Sequence, residues 1–181
     1  MIYVALLRGI NVGGKNRVEM LKLKATFERL GHTDVVTYIN SGNVIFTADA
    51  TPPHQLTQDI EAAIMQDFGF EVPVVLRLRE QIQEICRQVP AAWVNDGQTM
   101  KTDVMFLWEK YDSPESISLF KHNPEIEHLI YVGGALVWNI SREYVNRGSA
   151  LKMIGTDIYK HLTVRNINTV RKLLALMSAG V

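Results

Sequence analysis

A glycine-rich loop flanked by cationic side chains is the segment of this sequence best suited to binding a ligand. Residues 8–16 read Arg-Gly-Ile-Asn-Val-Gly-Gly-Lys-Asn. Glycine lets the backbone approach a ligand closely, and an arginine can hold an oxyanion through two parallel hydrogen bonds. We expect Arg8 and Lys15 to supply charge, and Gly13 and Gly14 to supply backbone donors. The loop predicts a site for a phosphate or carboxylate group. A strand-to-helix turn with solvated charges is the alternative.

The same loop comes close to the Walker A pattern of nucleotide-binding P-loops. Gly9, four further residues, Gly14 and Lys15 match G-x-x-x-x-G-K. Asn16 stands where the Mg²⁺-binding Ser or Thr belongs. A P-loop protein also needs a parallel sheet, whereas the next strands predict a tight antiparallel hairpin. We therefore interpret the loop as a general anion site and rank the P-loop below it.

The predicted hairpin turn at residues 40–43 could complete the site. These residues read Asn-Ser-Gly-Asn, types that tolerate the backbone of a tight turn. The amides of Asn40 and Asn43, together with that of Asn11, would orient a ligand by hydrogen bonds. The turn has no nucleophile-elbow sequence, so we predict no catalytic residue here.

A second polar segment precedes a predicted C-terminal helix. Asn168 is a plausible cap for that helix, and Arg165 and Asn166 would flank its amino end, where anions bind favourably. We expect Arg165 and Asn166 to close the anion site if this segment packs beside the first loop. If Arg8 and Arg165 are instead buried against backbone carbonyls, the polar segments only hold the protein together.

Positive charge is concentrated at the two ends of a chain with 19 basic and 19 acidic residues. Residues 1–29 contain six basic and two acidic side chains, and residues 142–181 contain seven and two. The middle, residues 30–141, contains six basic and 15 acidic side chains. The basic ends favour an acidic ligand, but the neutral whole lacks the excess charge of a general duplex-DNA binder.

The hydrophobic patterns predict two lobes of strands and helices. The first half has the order β-α-β-β-α-β of a ferredoxin-like unit, and the second half has β-α-β-β-α-α without an evident final strand. We predict an α+β fold of two ferredoxin-like lobes, 1–90 and 91–181, which an internal duplication would explain. The first helix would start at a capping box formed by Asn16 and Glu19. The other predicted elements are strands 2–7, 35–39, 44–46, 72–78, 104–108, 129–132 and 136–140, helices after Thr51, Ser113, Ser149 and Asn168, and a connecting loop at 91–102.

Composition limits the class of protein. The chain has 181 residues, of which 47% are hydrophobic and 21% charged, so it can form its own core and is not disordered. No apolar run reaches the roughly 18 residues of a membrane span. A single cysteine, Cys86, fits a reducing cytoplasm. The five histidines are scattered, and we predict neither a metal site nor a cofactor.

Three segments together resemble a known family. They are residues 7–16, residues 37–44 (TYINSGNV) and residues 163–172 (TVRNINTVRK). This combination is similar to a bacterial family catalogued as domain of unknown function 1697. The resemblance implies a two-lobed α+β fold with ferredoxin-like units, and it assigns no activity, substrate or catalytic residue.

Two functions from different classes follow from the sequence. The first is binding of a phosphate-bearing small molecule or nucleotide at the basic glycine-rich loop. The second is a non-catalytic module that binds RNA or protein through its sheet, on which Tyr3 and Phe46 would stack against bases if they faced outward. The sequence contains no RNP-like run, which makes RNA the weaker alternative. It decides neither whether a reaction is catalysed nor the oligomeric state.

Overall fold

Two compact units make up the protein. The computed structural model describes residues 1–179. One unit contains Met1–Arg79 with the described residues from Ala175 onward, and the other contains Glu80–Leu174. We call them the first and second units. Each is built on a four-stranded antiparallel sheet with helices, so the predicted α+β class is confirmed.

The first unit has a sheet whose central strand is apolar throughout. In space its strands have the order β2-β3-β1-β4, with every neighbouring pair antiparallel. Successive side chains of β1 point to opposite faces, and both faces of its middle are buried. Such a strand needs a continuous apolar run, as the sequence predicts. In chain order the elements are β1 (Ile2–Leu7), α1 (Met20–Arg29), β2 (Thr33–Tyr38), β3 (Asn43–Thr47), α2 (Pro53–Phe68) and β4 (Val74–Leu78).

Helices α1 and α2 pack their apolar stripes on one face of this sheet. Phe27 of α1 meets Phe46 of β3 edge-to-face, with ring centroids 5.1 Å apart. Ile60 and Ile64 of α2 are fully buried in the same core. Burial of each such side chain contributes about 1.5–3 kcal/mol. Helix α2 ends at Gly69, whose φ of 80° ends the helix as the sequence predicts.

The second unit also places its first strand inside the sheet. Its strand order is β6-β7-β5-β8, again antiparallel throughout. A two-glycine turn at Gly133 and Gly134, with φ of 59° and 81°, joins β6 to β7 as predicted. The elements are α3 (Arg79–Gln88), β5 (Met100–Leu107), β6 (Glu127–Val132), β7 (Ala135–Ser141), α4 (Ser149–Lys152), α5 (Asp157–Lys160), β8 (Leu162–Asn166) and α6 (Ile167–Ser178), with 3₁₀ turns at Glu109–Tyr111, Pro114–Phe120 and Arg142–Arg147.

Several predictions for the second unit are wrong. A final strand exists: β8 pairs with β5, but its five residues include the polar Arg165 and Asn166, which concealed the apolar pattern. The predicted helix at Ser113 is a 3₁₀ turn. The helix expected from Ser149 is two single-turn helices, between which Gly155 adopts a φ of 90°. Strand β5 begins inside the predicted loop, at Met100.

The capping box predicted for the first helix is also wrong. Helix α1 begins at Met20, and its N-cap is Glu19, whose side chain makes no capping hydrogen bond. Asn16 lies outside the helix with a φ of 50°, and its side-chain amide donates to the carbonyl of Gly9 over 3.1 Å. Asparagine tolerates this left-handed backbone, so Asn16 ends the loop and does not start the helix.

Glu127 is a buried carboxylate that organises the second unit. It accepts hydrogen bonds from Trp138 Nε1 (2.5 Å), from the amide of Asn123 (2.8 Å) and from the amide and hydroxyl of Ser149 (2.9 and 3.0 Å). Burial alone would raise the pKa of Glu127, but these donors outweigh it and lower the pKa below its usual value. The ionised carboxylate thereby joins β6, β7 and the start of α4.

We expect Glu127→Gln to destabilise the protein by about 2–4 kcal/mol, because a glutamine amide turns one buried acceptor into a donor that faces other donors. The lowered pKa gives this loss a pH dependence. The stabilisation by Glu127 is present above the unfolded-state value of 4.5 and is lost as the pH falls through the folded-state pKa. Denaturant titrations followed by tryptophan fluorescence at pH 7 and at lower pH would measure it. Glu125→Gln, at an exposed carboxylate in the preceding loop, is the control, and an equal loss in both variants would contradict the assignment.

A substitution at Gly42 tests how closely the turn between β2 and β3 packs against the neighbouring side chains. The φ of this glycine is 77°, and a Cβ atom there would lie 2.8 Å from Leu7 Cβ and 2.7 Å from Ile10 Cδ1. We expect Gly42→Ala to cost about 2–4 kcal/mol from backbone strain and overpacking together. Gly69→Ala has a similar φ of 80° and open space around it, so about 1 kcal/mol of strain alone is expected. Urea titrations followed by circular dichroism compare the two, and equal losses would show that the close approach costs nothing.

Candidate functional site

The glycine-rich loop folds as a miniature β-hairpin. Val12 and Lys15 form an isolated bridge, in which the amide of Lys15 donates to the carbonyl of Val12 over 3.1 Å. Gly13 and Gly14 occupy the turn with φ of 59° and 74°, the left-handed backbone that a two-residue hairpin turn requires. Both glycines are exposed, and their amides donate to no acceptor within residues 1–179. The loop therefore presents backbone donors on a short, closed hairpin.

The side chain of Asn11 joins this hairpin to two other segments. Its Nδ2 donates to the carbonyls of Val18 (3.0 Å) and Asn40 (2.9 Å), and its Oδ1 accepts the amide of Val18 (2.9 Å). Val18 precedes α1, and Asn40 lies in the turn between β2 and β3. The amide of one residue thus fixes the loop, the entry to the helix and the hairpin turn relative to one another.

These three segments, with the end of α2, surround an open cleft of about 870 Å³. Cationic, amide and apolar side chains line it together, and Glu19 is its single carboxylate among the described residues. The lining residues are Asn11, Gly14, Lys15, Arg17, Val18, Glu19, Met20, Leu21, Lys22, Asn40 and Phe68.

Two of the three cationic side chains in the cleft are not paired with any group in the described part of the chain. The side chains of Lys15 and Arg17 are exposed, and neither forms a hydrogen bond or an ion pair within the described part of the chain. Lys22 is engaged: its Nζ donates to the carbonyl of Asp67 over 2.5 Å and lies 4.8 Å from the centre of the Phe68 ring. Two unpaired cations therefore face solvent at a cleft with one acidic side chain.

The amino end of α1 forms another wall of the cleft. Glu19, Met20, Leu21 and Lys22 all line it, so the first turn of the helix faces the same space as Lys15. No acidic side chain lies within this first turn. The partial positive charge at a helix amino end stabilises anions by about 0.3–1 kcal/mol, and it adds to the charge of the side chains.

One residue beside the cleft has a strained backbone. Ile39, immediately before Asn40, has a φ of 51° and a side chain that is 47% exposed. A β-branched residue rarely adopts a positive φ, because its Cβ collides with the backbone. Such strain persists only where the surrounding structure fixes it, and here the hydrogen bond from Asn11 holds the next residue.

The structure brings four of the predicted site residues to one place and gives others structural roles. Gly14, Lys15 and Asn40 line the cleft with Asn11. Asn43 is fully buried at the start of β3 and does not line it. The Nδ2 of Asn43 donates to the carbonyl of Tyr38 (2.9 Å) and to Ser41 Oγ (3.0 Å), which closes the hairpin turn.

Gly13 and Arg8, two other predicted site residues, do not line the cleft. Gly13 is at the tip of the small hairpin, next to Gly14. Arg8 is half-buried, and its backbone amide donates to the carbonyl of Pro73 over 2.9 Å. That bond continues the pairing of β1 with the segment leading into β4, so the backbone of Arg8 extends the sheet up to the start of the loop.

Arg165 and Asn166 lie at the end of β8 in the second unit. Arg165 is 7% exposed and donates from Nη1 to Thr163 Oγ1 (3.0 Å) and to the carbonyl of Val164 (2.8 Å). Burial lowers the pKa of Arg165 to about 10, which still leaves it charged at neutral pH. That these two residues close the anion site stays a prediction from the sequence.

The cap of α6 differs from the sequence prediction. Asn166 Oδ1 accepts the amide of Thr169 over 2.9 Å and thereby caps the helix. Asn168 lies inside the first turn and donates to the carbonyl of Asn95 over 2.8 Å. The predicted cap at Asn168 is therefore wrong by two residues, because β8 runs directly into the helix.

Seven of the eleven residues that line the cleft were not among the predicted site residues, and Arg17, Lys22 and Phe68 are three of them. Arg17 and Lys22 belong to the basic stretch 1–29, so the charge count already pointed to them. Phe68 lies almost 50 residues further along the chain, at the end of α2. No local signal marks it, because only the packing of α2 against α1 brings its ring beside Lys22.

Within residues 1–179, no helix is long and apolar enough to cross a membrane. No group of three histidine, cysteine or acidic side chains within this range has an arrangement suited to a metal ion.

The chain belongs to a protein family whose function is unknown. The chain belongs to the family described as "Protein of unknown function (DUF1697)", whose model matches residues 1–138. This match confirms the resemblance found in the sequence, and it covers the whole cleft. A solved structure, described as the conserved bacterial protein SP0830 from Streptococcus pneumoniae, is similar to this chain. The two share 29% sequence identity and a TM-score of 0.82, over 98% of each chain. No curated protein matches the sequence.

Asn11 is the residue whose loss should loosen the cleft. We expect Asn11→Gly to remove three hydrogen bonds without straining the backbone, since glycine accepts the φ of 54° at this position. Hydrogen exchange at the amide of Val18 should become at least about fivefold faster, because one net hydrogen bond contributes about 1 kcal/mol or more. Asn16→Gly is the matched control, with a φ of 50° and one side-chain bond inside the loop. Unchanged protection of Val18 in Asn11→Gly would refute its role.

Proposed function

We propose that the cleft of the first unit binds a phosphate-bearing small molecule or nucleotide. The observation that carries this proposal is the pair of exposed, unpaired cations, Lys15 and Arg17, beside the amino end of α1. A protein gains nothing in stability from two unpaired like charges held close together. An anionic ligand would neutralise both and accept hydrogen bonds from them.

Electrostatic interactions would contribute to binding at this cleft. A hydrogen bond to a charged partner contributes about 1.5–3 kcal/mol, and the helix end adds about 0.3–1 kcal/mol. Two side chains and the helix end therefore supply about 3–7 kcal/mol of interaction energy, part of which offsets the ligand's loss of translational and rotational freedom on binding. The exposed amides of Gly13 and Gly14 and the side chain of Asn40 would add orientation.

The hairpin geometry favours a general anion site over a P-loop. The sheet of the first unit is antiparallel throughout, and four residues lie between Lys15 and the first residue of α1 at Met20. In a P-loop the lysine and the helix amino end hold the same phosphates. Here the phosphate would lie beside a closed hairpin rather than inside a loop that wraps around it.

Burial of the candidate stacking residues speaks against the alternative of RNA binding on the sheet. Tyr3 and Phe46 stack on each other with ring centroids 5.7 Å apart, and both lie in the core under α1 and α2. Val4 and Leu6, on the opposite face of β1, are buried as well. Neither of the two candidate rings is therefore exposed to a base.

For the fold, we propose two ferredoxin-like lobes that arose by internal duplication, with residues 1–90 and 91–181 as the copies. The two sheets have equivalent strand orders, with the first strand of each unit third in the sheet. Arg77 of β4 lies opposite Val4 of β1, and Arg165 of β8 lies opposite Val104 of β5. Both arginines are buried, and each donates from Nη1 to the carbonyl of the residue before it. Such a shared detail supports a common origin better than strand order alone.

Inorganic tripolyphosphate tests the anion site directly. We expect saturable binding to the wild type by isothermal titration calorimetry, weakening as salt is added. Lys15→Ala and Arg17→Ala should each lower the affinity about tenfold, equivalent to about 1.4 kcal/mol. Lys24→Ala is the control: this lysine is on α1 and does not line the cleft, its Nζ lies 3.7 Å from Glu28, and its loss should change the affinity less than about twofold. Absent binding, or equal affinity in all variants, would refute the proposal.

A further inference from the structure

The size of the cleft is the first indication of what it holds. Its volume of about 870 Å³ lies within the range of about 300–1,000 Å³ typical of small-molecule and cofactor sites. A single phosphate group would leave most of that space to water. The cleft's three cationic side chains, Lys15, Arg17 and Lys22, account for only part of the lining. The remainder of the wall has a different character and calls for a different part of the ligand.

The aromatic ring of Phe68 forms part of the remaining wall of the cleft. Phe68, the last residue of α2, is half-buried and packs against the core of the first unit. It also lines the cleft, where Lys22 Nζ lies over its ring at 4.8 Å from the centre. Met20 and Leu21 add apolar surface nearby, and the Leu21 side chain is 75% exposed. Ring, thioether and aliphatic side chain together suit a planar, weakly polar group.

Lys22 links the ring to the charged part of the cleft. Its ammonium is held by the carbonyl of Asp67 and by the face of the Phe68 ring, and it also attracts the Asp67 carboxylate, whose pKa lies below its usual value chiefly because Thr26 and Arg29 donate hydrogen bonds to it. A phosphate oxygen is a stronger partner for this ammonium than the carbonyl is, because both groups of the pair are then charged. A flexible lysine can move between the two. When Lys22 turns to a phosphate, it leaves the Phe68 ring open for stacking.

We infer that the ligand of this cleft is a nucleoside polyphosphate, with its phosphates on Lys15, Arg17 and Lys22 and its base stacked on Phe68. This inference rests on the proposed function and makes it more specific. Stacking on an aromatic ring tolerates every base, since each has a π-face. Glu19 and Asn40, whose side chains have no hydrogen-bond partner within residues 1–179, are the groups available to the ribose hydroxyls.

Calorimetry with two matched probes separates the base from the phosphates. We expect a nucleoside triphosphate to bind the wild type at least about tenfold more tightly than inorganic tripolyphosphate, because only the nucleotide can stack. In Phe68→Leu this preference should fall to about twofold or less, with tripolyphosphate binding retained. Phe70→Leu is the control for packing: Phe70 is another half-buried phenylalanine of the same core that does not line the cleft. Its ring centroid lies 6.5 Å from that of Phe68, so this variant removes an aromatic neighbour but leaves the Phe68 ring itself, and it should keep the preference.

Lys22→Met tests whether Lys22 leaves the Phe68 ring to bind a phosphate. We expect this variant to bind tripolyphosphate about five- to tenfold more weakly, since one cation is lost. The same variant should bind an uncharged nucleoside at least as well as the wild type does, because no ammonium covers the Phe68 ring. Weaker nucleoside binding in Lys22→Met would overturn the assignment of the ring to the base.

A measurement on the wild type avoids any folding defect of the variants. The base protons of a bound nucleoside triphosphate should move upfield in the NMR spectrum if they lie over the Phe68 ring. Tripolyphosphate binding with no preference for the nucleotide and no upfield shift would overturn the inference and leave the anion site standing. Failure of every phosphate probe to bind would refute the proposed function, and the inference with it.

Discussion

The organisation of the cleft depends on the side-chain amide of Asn11. Three backbone groups from two other segments bond to it, and each would otherwise lack this partner at a partly buried position. The residue must both donate and accept, which an amide can do and an ionised carboxylate cannot. It must also adopt a φ of 54°, which asparagine tolerates better than most residues. A neutral group meets both demands without cancelling the charge of Lys15 and Arg17, so the loops are fixed while the cleft stays positive.

The sequence predicted most elements of the first unit because their signals are local. The apolar run of β1, the end of α2 at Gly69 and the turn before Asn43 all depend on neighbouring residues. The predicted start of α1 was wrong because Asn16 fits the pattern of a helix cap and that of a left-handed loop residue equally well. In the second unit, β8 was not predicted because its pairing with β5, rather than its own composition, makes it a strand.

The same contrast between local and tertiary signals explains which residues of the candidate site the sequence identified. The sequence identified Gly14, Lys15 and Asn40 because a glycine, a charged residue and a turn residue can each be recognised from the residue type and its neighbours in the chain. Whether an asparagine side chain faces a ligand or its own backbone is a three-dimensional matter, and Asn43 is turned inward. Phe68 is the opposite case: its type is that of a core residue, and only the approach of Lys22 distinguishes it.

The buried arginines of β4 and β8 have a consequence for aggregation. Each of these strands lies at the edge of its sheet, where unpaired backbone groups can recruit a strand from another molecule. A charged side chain that points inward from an edge strand is one of the features by which natural sheets discourage such recruitment, and Arg77 and Arg165 are both buried. The other edge of the first sheet is irregular as well, since β2 shifts register between Thr33 and Val36 and a bulge bends a strand away from flat pairing. Both edges of the first sheet and the β8 edge of the second thus have features that oppose edge-to-edge association.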